Sequence, residues 1–304
     1  MKEVPAPRGH LTTEGTNPAT AGLDTLPIAE ALARMQAEDA RIHEALAAAR
    51  PQIARAIELV AERLARGGRL YYVGAGTSGR LGVLDAVECP PTFQSDPEQV
   101  QCLIAGGLGA LTRAVEGAED DRQAGAAELD ARGLCERDAV VGISAGGTTP
   151  YVHGALELAR ARGAATVLLA CVPFEQAPDQ AEVSIRVVTG PEVVAGSTRL
   201  KAGTATKLVL NAISTLAMVR LGKVHGNLMV DVDTRTNAKL VERAGRIISQ
   251  LTGLERESAL ALLERAGGQA KVAVVMHQLG LDAPAARERL RAAGGFLRRA
   301  LGGG

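Results

Sequence analysis

The strongest constraint on the fold of this chain is a unit that the sequence contains twice. The apolar run Leu70-Tyr71-Tyr72-Val73 leads into Gly74-Ala75-Gly76-Thr77-Ser78-Gly79-Arg80, after which Leu81, Val83, Leu84 and Val87 recur at helical spacing up to Glu88-Cys89-Pro90-Pro91. Later, Asp138 to Ile143 runs into Ser144-Ala145-Gly146-Gly147-Thr148-Thr149, and Thr149 with Pro150 suits the N-cap and first turn of a helix from Tyr151 to Arg162. Each copy reads as buried strand, small-residue turn with hydroxyls, then helix. Further strands are expected at Val100 to Ala105, Ala165 to Cys171 and Val183 to Val188. The alternation predicts an α/β fold: a doubly wound, mainly parallel sheet flanked by helices.

A helix start offers N–H groups without intrahelical partners and the positive end of the helix dipole, and glycine lets a ligand approach the backbone closely. Two such turns at the carboxyl ends of strands predict a phosphate site. Gly74 to Gly79 has the G-x-G-x-x-G spacing, but no acidic residue stands where one would bind a ribose, and no Gly-Lys-Ser/Thr occurs. The spacing alone therefore does not specify a nucleotide.

Composition narrows the ligand. The 34 basic and 34 acidic residues cancel, so the chain carries no general attraction for nucleic acid or an anionic membrane, and any anion site is local. With no Trp, three Tyr and three Phe, there is little to stack on a base or sugar ring, and sugar recognition would rest on hydrogen bonds. Cys89, Cys102, Cys135 and Cys171 are scattered, which suits reduced thiols better than a disulfide frame or zinc site. No cofactor and no metal are expected. No apolar run looks long enough to span a bilayer, and Met1 to Thr13 lacks an apolar signal core, so a cytoplasmic location is expected.

Around the sheet, Leu11 to Thr20 reads as a polar surface arm. Two helices follow, with apolar stripes at Ile28, Leu32, Met35, Ile42, Leu46 and at Ile53, Ile57, Val60, Leu64, separated at Pro51. After a long helix from Ala205 to Leu221, the sequence from Asn237 reads as helices only, ending in a glycine tail expected to be disordered. The division expected is 1–50 (arm and helix), 51–239 (the sheet domain) and 240–304 (a small all-helical subdomain).

Several side chains carry possible chemistry. Glu88 closes the helix that starts on the first turn, where a part-buried carboxylate could act as general acid or base; a surface glutamate has the same pattern. Glu116, Glu119, Asp120 and Asp121 form a dense acidic cluster, and pattern alone does not choose among them. Lys201 and Lys207, with Arg199, could face a substrate anion or simply solvent. The five histidines are dispersed, which speaks against a histidine-centred site.

Taken together, GAGTSGRLGVLDAVECPPTF (Gly74 to Phe93), AVEGAED (Ala114 to Asp120), GSTRLKAGTATKLVLN (Gly196 to Asn211), GNLMVDV (Gly226 to Val232) and LTTEGTNPATAGLDTL (Leu11 to Leu26) closely resemble the N-acetylmuramic acid 6-phosphate etherases of the sugar isomerase (SIS) superfamily. The resemblance implies an SIS-like fold, a sugar-phosphate substrate and a homodimer with sites near the subunit interface, in which the arm around Glu14 reaches a neighbour. It implies loss of D-lactate from the sugar by elimination followed by hydration, in peptidoglycan recycling, with Glu119 as the base that takes the C2 proton and Glu88 as the acid that helps lactate leave. The implied substrate contacts are Gly76, Thr77 and Ser78, then Ser144, Gly147, Thr148 and Thr149, with Ser197 and Lys201 from the third segment. One departure stands out: the family's second turn commonly reads A-A-S-G-R-T-P, whereas here Gly146 and Thr148 replace the usual serine and arginine. A non-catalytic sugar-phosphate sensor and an aldose–ketose isomerase, whose reaction also starts at C2, remain the alternatives.

Overall fold

The computed structural model describes residues 8–235 and 237–303; expectations for residues 1–7 and for Gly304 lie outside the described residues. Five strands form one all-parallel sheet in the order β2-β1-β3-β4-β5. They are β1 (Leu70–Gly74), β2 (Val100–Ile104), β3 (Ala139–Ile143), β4 (Ala165–Ala170) and β5 (Val183–Arg186). β1, β3 and β4 are buried along their whole length, which explains why they read as continuous apolar runs rather than alternating ones. Gly74 pairs with both Ile104 and Ile143, so β1 and β3 end side by side at the point where the strand order reverses. In a doubly wound sheet that point is where ligands bind.

Helices α1 (Ile28–Ala48) and α2 (Arg50–Ala65) precede the sheet, with Pro51 in the first turn of α2. The stripe of α2 is buried at Ile57, Val60 and Leu64, whereas Ile28 and Leu32 at the start of α1 are 83% and 50% exposed. Helix α3 (Gly76–Phe93) differs from expectation at both ends. It begins inside the glycine turn, so Gly76, Thr77 and Ser78 are its first turn. It also runs through Pro90 and Pro91, because a proline's fixed φ is compatible with a helix even though its N–H is missing. Gln94, with φ 49°, follows, and its N–H reaches Pro90 O at 2.9 Å.

The turn from β1 into α3 depends on glycine for closeness. A Cβ on Gly74 would stand 2.7 Å from Gly79 N, and one on Gly79 would stand 2.5 Å from Ile104 Cγ1 and 2.8 Å from Gly74 O. Helices α4 (Arg122–Ala131), α5 (Pro150–Ala161) and α6 (Lys201–Arg220) complete the layers. α4 is capped by Asp121, which accepts from Ala124 N at 2.8 Å. Buried Asp85 on α3 accepts from Tyr72 Oη at 2.8 Å, Asn211 Nδ2 at 2.6 Å and Ser214 Oγ at 3.1 Å, joining α3 to β1 and α6. Contrary to the bilayer-length expectation, α6 is apolar and long enough to cross one by length and composition; 56% of that stretch is buried within the protein.

By contacts the chain divides into two compact units, Met1–Ala86 with Val100–Ser214, and Val87–Gln99 with Thr215–Gly304. The boundary expected near 240 falls inside the second unit. That unit has its own core, including Val230, Val232, Ile248, Leu263 and Val275, built on α7 (Ala238–Thr252), α8 (Arg256–Arg265), α9 (Ala270–Leu279), α10 (Ala283–Ala292) and a short α11 (Leu297–Ala300) that the sequence reading missed. The described end of the tail is hydrogen bonded rather than loose: Gly302 N and Gly303 N donate to Arg299 O and Arg298 O at 3.1 and 3.0 Å.

The close turn makes a prediction. Gly79→Ala, which must push backbone or Ile104 aside, should lower the unfolding free energy in urea by roughly 1–3 kcal/mol. Gly109→Ala, with open space around the new methyl, should stay within about 0.5 kcal/mol of the parent.

Candidate active site

A cavity of about 260 Å3 opens where β1 and β3 end, and four parts of the first unit line it. From the two turns come Gly76, Thr77, Ser78, Ser144, Thr148 and Thr149. From the α6 side come Thr198, Gly203 and Thr206, and from the N-terminal arm Arg8, Leu11 and Glu14. Glu119 also lines it.

The first turn presents the opening of α3 to this space, with Gly76 at φ 52°. In the second turn, Ser144 Oγ and Thr149 Oγ1 are 2.8 Å apart, and Thr149 N donates to Ser144 Oγ at 3.3 Å. The Thr149 side chain therefore faces Ser144 and makes no capping bond to α5, against the sequence expectation. Gly147 does not line the cavity. At φ 73° it turns the chain, a Cβ there would meet Ala177 Cβ at 2.9 Å, and its carbonyl is bonded to His153 Nε2 at 2.8 Å. Its positive φ shapes the turn.

Two other expected contacts move elsewhere. Ser197 is outside the lining, and its neighbour Thr198 takes the place. Lys201 is fully buried, its Nζ 2.5 Å from Glu38 Oε2 on α1. An apolar surround makes an ammonium costly unless it is paired, and this one is committed to Glu38. Burial pushes the Glu38 carboxyl up, but hydrogen bonds from Lys201 and Asn17 and the charges of Lys201 and Arg41 outweigh it and hold the group below its ordinary range. Beside it, Glu192 accepts from Lys201 N at 3.0 Å and Ala202 N at 2.9 Å, capping α6, and burial leaves its carboxyl above the ordinary range. Arg199 and Lys207 are exposed and do not line the cavity.

The arm was the part the sequence underrated. Leu11 is 1% exposed and packs with Ala170, Val172 and Ala177. Thr12 donates from N and Oγ1 to Gln176 Oε1 at 2.8 and 2.9 Å, Asn17 Nδ2 donates to Glu38 at 2.7 Å, and Thr20 Oγ1 donates to Val193 O at 2.9 Å. These bonds lay the arm against its own sheet domain and put Glu14 on the lining of its own chain's cavity. The sequence signals were polar residues without period and with many hydroxyls, and the match of Leu11 to Leu26 to the family pattern.

Of the two candidate carboxylates, Glu119 stands at the cavity, with Arg8 Nη1 3.9 Å from its Oε1. Glu88 is exposed, nearly three turns beyond Ser78 along α3, and is not among the lining residues. Among the described residues no three His, Cys, Asp or Glu side chains are grouped to hold a metal ion. Burial pushes the Cys102 and Cys171 thiols up to about 12, which removes both as nucleophiles near neutral pH.

A five-stranded parallel sheet with a polar, hydroxyl-lined cavity at its switch point defines a doubly wound α/β ligand-binding domain. Residues 52–160 match the family model described as the glucokinase regulatory protein N-terminal SIS domain. The fold is also that of a Bacteroides fragilis protein described as a phosphosugar isomerase involved in capsule formation, with a TM-score of 0.51, 16% identity, and coverage of 70% of this chain and 99% of that one. Over nearly its full length the chain is similar to N-acetylmuramic acid 6-phosphate etherases. It is 60% identical to that of Gloeobacter violaceus over 99% of this chain and 98% of that protein. It is 57% identical to that of Trichormus variabilis over 97% of this chain and 95% of that protein. The chain belongs to the N-acetylmuramic acid 6-phosphate etherase family.

The buried pair predicts a stability defect with a definite pH dependence. Lys201→Met leaves Glu38 without its buried partner and should cost about 3–5 kcal/mol at neutral pH. Because Glu38 is held below its usual value of 4.5, the stabilisation it supplies is whole at neutral pH. It is lost as pH falls from the unfolded glutamate's value through the lower folded one. Urea unfolding from pH 7 down to about 3 should show the gap between parent and variant narrowing toward acid, most of all below the unfolded glutamate's value.

Proposed function

We propose that this chain cleaves the D-lactyl ether of N-acetylmuramic acid 6-phosphate, giving N-acetylglucosamine 6-phosphate and D-lactate. The observation that carries the reading is the meeting of three features in one cavity: the first turn of α3, the hydroxyls of the second turn, and the Glu119 carboxylate. The turns suit a phosphate at the sugar's C6, through backbone N–H groups and Thr77, Ser78, Ser144 and Thr149. With the phosphate there, the rest of an open-chain sugar extends toward Glu119.

The chemistry has two barriers. The proton at C2 is only weakly acidic, even beside an aldehyde, so its removal needs a carboxylate within hydrogen-bond reach. Glu119 takes that role. As the electrons move from C2 toward C3, the C3–O bond breaks, and lactate leaves far more easily if its ether oxygen receives a proton. That role goes to Glu88. Water then adds at C3 of the unsaturated aldehyde, and C2 regains a proton.

Glu88 is exposed on α3 beside Leu84 and Val87, themselves 49% and 58% exposed. Positions 84, 87 and 88 share one face of a helix by spacing. An apolar exposed face carrying the acid fits a homodimer in which each subunit lends Glu88 to its partner's site. The expected location is cytoplasmic, where recycled cell-wall fragments would be processed.

The test is release of D-lactate from the muramic acid phosphate by the purified protein. Tight sugar-phosphate binding without lactate would favour a sensor, and a ketose product an isomerase. Within the proposed mechanism, Glu119→Ala should abolish exchange of the C2 proton with solvent, while Glu88→Ala should chiefly slow lactate departure. Mixing the two inactive variants should restore part of the activity if Glu88 acts across subunits, and complementation that never appears would place the acid within one chain.

A further inference from the structure

We infer that Arg8 is the residue that recognises the leaving group's carboxylate, and so sets the preference for a lactyl ether over an uncharged one. This rests on the function proposed above. The substrate carries two anionic groups, a phosphate on C6 and a carboxylate on the lactyl arm, and the cavity treats the two ends differently. At the turns it offers hydroxyls and backbone N–H groups. Its single cationic lining residue among the described residues is Arg8, at the Glu119 end.

Connectivity places the carboxylate there. Glu119 has to reach the proton on C2, and the lactyl carboxyl carbon is four bonds from C2, through C3, the ether oxygen and the lactyl carbon. Base and leaving group are thus neighbours, and two carboxylates brought this close repel each other unless a cation lies between them. Arg8 Nη1 is 3.9 Å from Glu119 Oε1 and Nη2 is 3.9 Å from Asp120 Oδ1. Both pairs are longer than a hydrogen bond. The guanidinium fork is therefore near the base without being locked to it, and a carboxylate arriving there can be held by two parallel hydrogen bonds.

Arg199 and Lys207 are exposed and outside the lining, and three further cations are committed elsewhere. Lys201 is buried on Glu38, Arg80 Nε donates to Ala110 O and Leu111 O at 3.0 and 3.2 Å, and Arg186 is paired with Asp179 at 2.5 Å. The second turn offers Thr148 and no cation. Arg8 itself is positioned by the arm: Leu11 N donates to Arg8 O at 2.9 Å, closing a turn directly before buried Leu11 and anchored Thr12. The arm thereby delivers a charge to the cavity from outside the turns.

The experiment compares the lactyl ether with a 3-O-ethyl ether of the same amino sugar phosphate, which lacks the carboxylate, on the parent protein, Arg8→Ala and Arg8→Lys. Arg8→Ala should raise KM for the lactyl ether by about 10- to 100-fold, the loss of a charged hydrogen-bonded pair. The loss on the ethyl ether should be much smaller than on the lactyl ether, inhibition by inorganic phosphate should hold, and Arg8→Lys should recover part of the loss. Equal losses on both ethers, a weakened phosphate inhibition, or no loss at all would overturn the inference. If the parent releases no D-lactate, the proposed function fails separately. Calorimetric binding of the two ethers to parent and Arg8→Ala then still decides the role of Arg8, because only the lactyl compound should lose affinity.

Discussion

The arrangement depends on one backbone contact. Gly74 closes β1, and Gly79 lies in the first turn of α3, so close that neither position has room for a methyl group. The contact brings a helix start directly over a strand end, and β3 ends alongside because its register with β1 is fixed from Leu70↔Ala139 to Gly74↔Ile143. Everything a phosphate would meet follows from this geometry: N–H groups without helical partners, hydroxyls one and two residues beyond Gly76, and a second hydroxyl turn from the adjacent strand. The cavity is polar because its walls are the ends of elements, where backbone groups remain to be satisfied.

A second constraint holds the cavity's outer wall. Glu38, Lys201, Asn17 and Glu192 form a buried polar knot in which each charge has a partner. Asn17 donates to Glu38, Lys201 pairs with it, and Glu192 holds the opening N–H groups of α6. Such a knot adds little net stability compared with apolar packing, yet it tolerates no missing member. It therefore specifies arrangement: the arm, α1 and the start of α6 are correct together or not at all. Thr198, Gly203 and Thr206 reach the cavity because α6 starts where Glu192 fixes it.

How much of this was legible in the sequence follows from the physics of each part. The strands and the two turns were readable because burial on both faces and close approach leave composition signatures: continuous apolar runs and glycines at fixed offsets. The start of α3 inside its turn was not readable, since the residues that begin the helix are those that suggest a loop. Lys201 was misjudged because a lysine beside hydroxyls has the same sequence pattern whether it meets substrate or a buried glutamate; only Glu38, 163 positions earlier, decides between them. Ser197 and Gly147 were one residue from the lining, a difference set by turn geometry that spacing does not resolve. The arm was hardest to place. Its attachment uses two hydrogen bonds to Gln176 Oε1 and one each to Pro191 O and Val193 O, far along the chain and without periodicity.

The arm also bears on how one superfamily geometry serves different sugar phosphates. The end of the cavity proposed for the phosphate is made by the two turns at the strand ends. The end where the chemistry differs is bounded by Arg8, Leu11 and Glu14 on a segment attached by side-chain bonds, and by Glu119 in a short 3-10 turn, Ala118–Asp120. Segments of this kind accept substitutions that strand ends do not, because few backbone pairings depend on them. An arginine lost from a strand-end turn can therefore be replaced in function by one entering from the arm, provided its anchor holds the same side of the cavity. The burial of Leu11 against Ala170, Val172 and Ala177 supplies that anchor. On the role inferred for Arg8, substrate preference would reside in the attachment of the arm, and the strand-end turns would serve the phosphate.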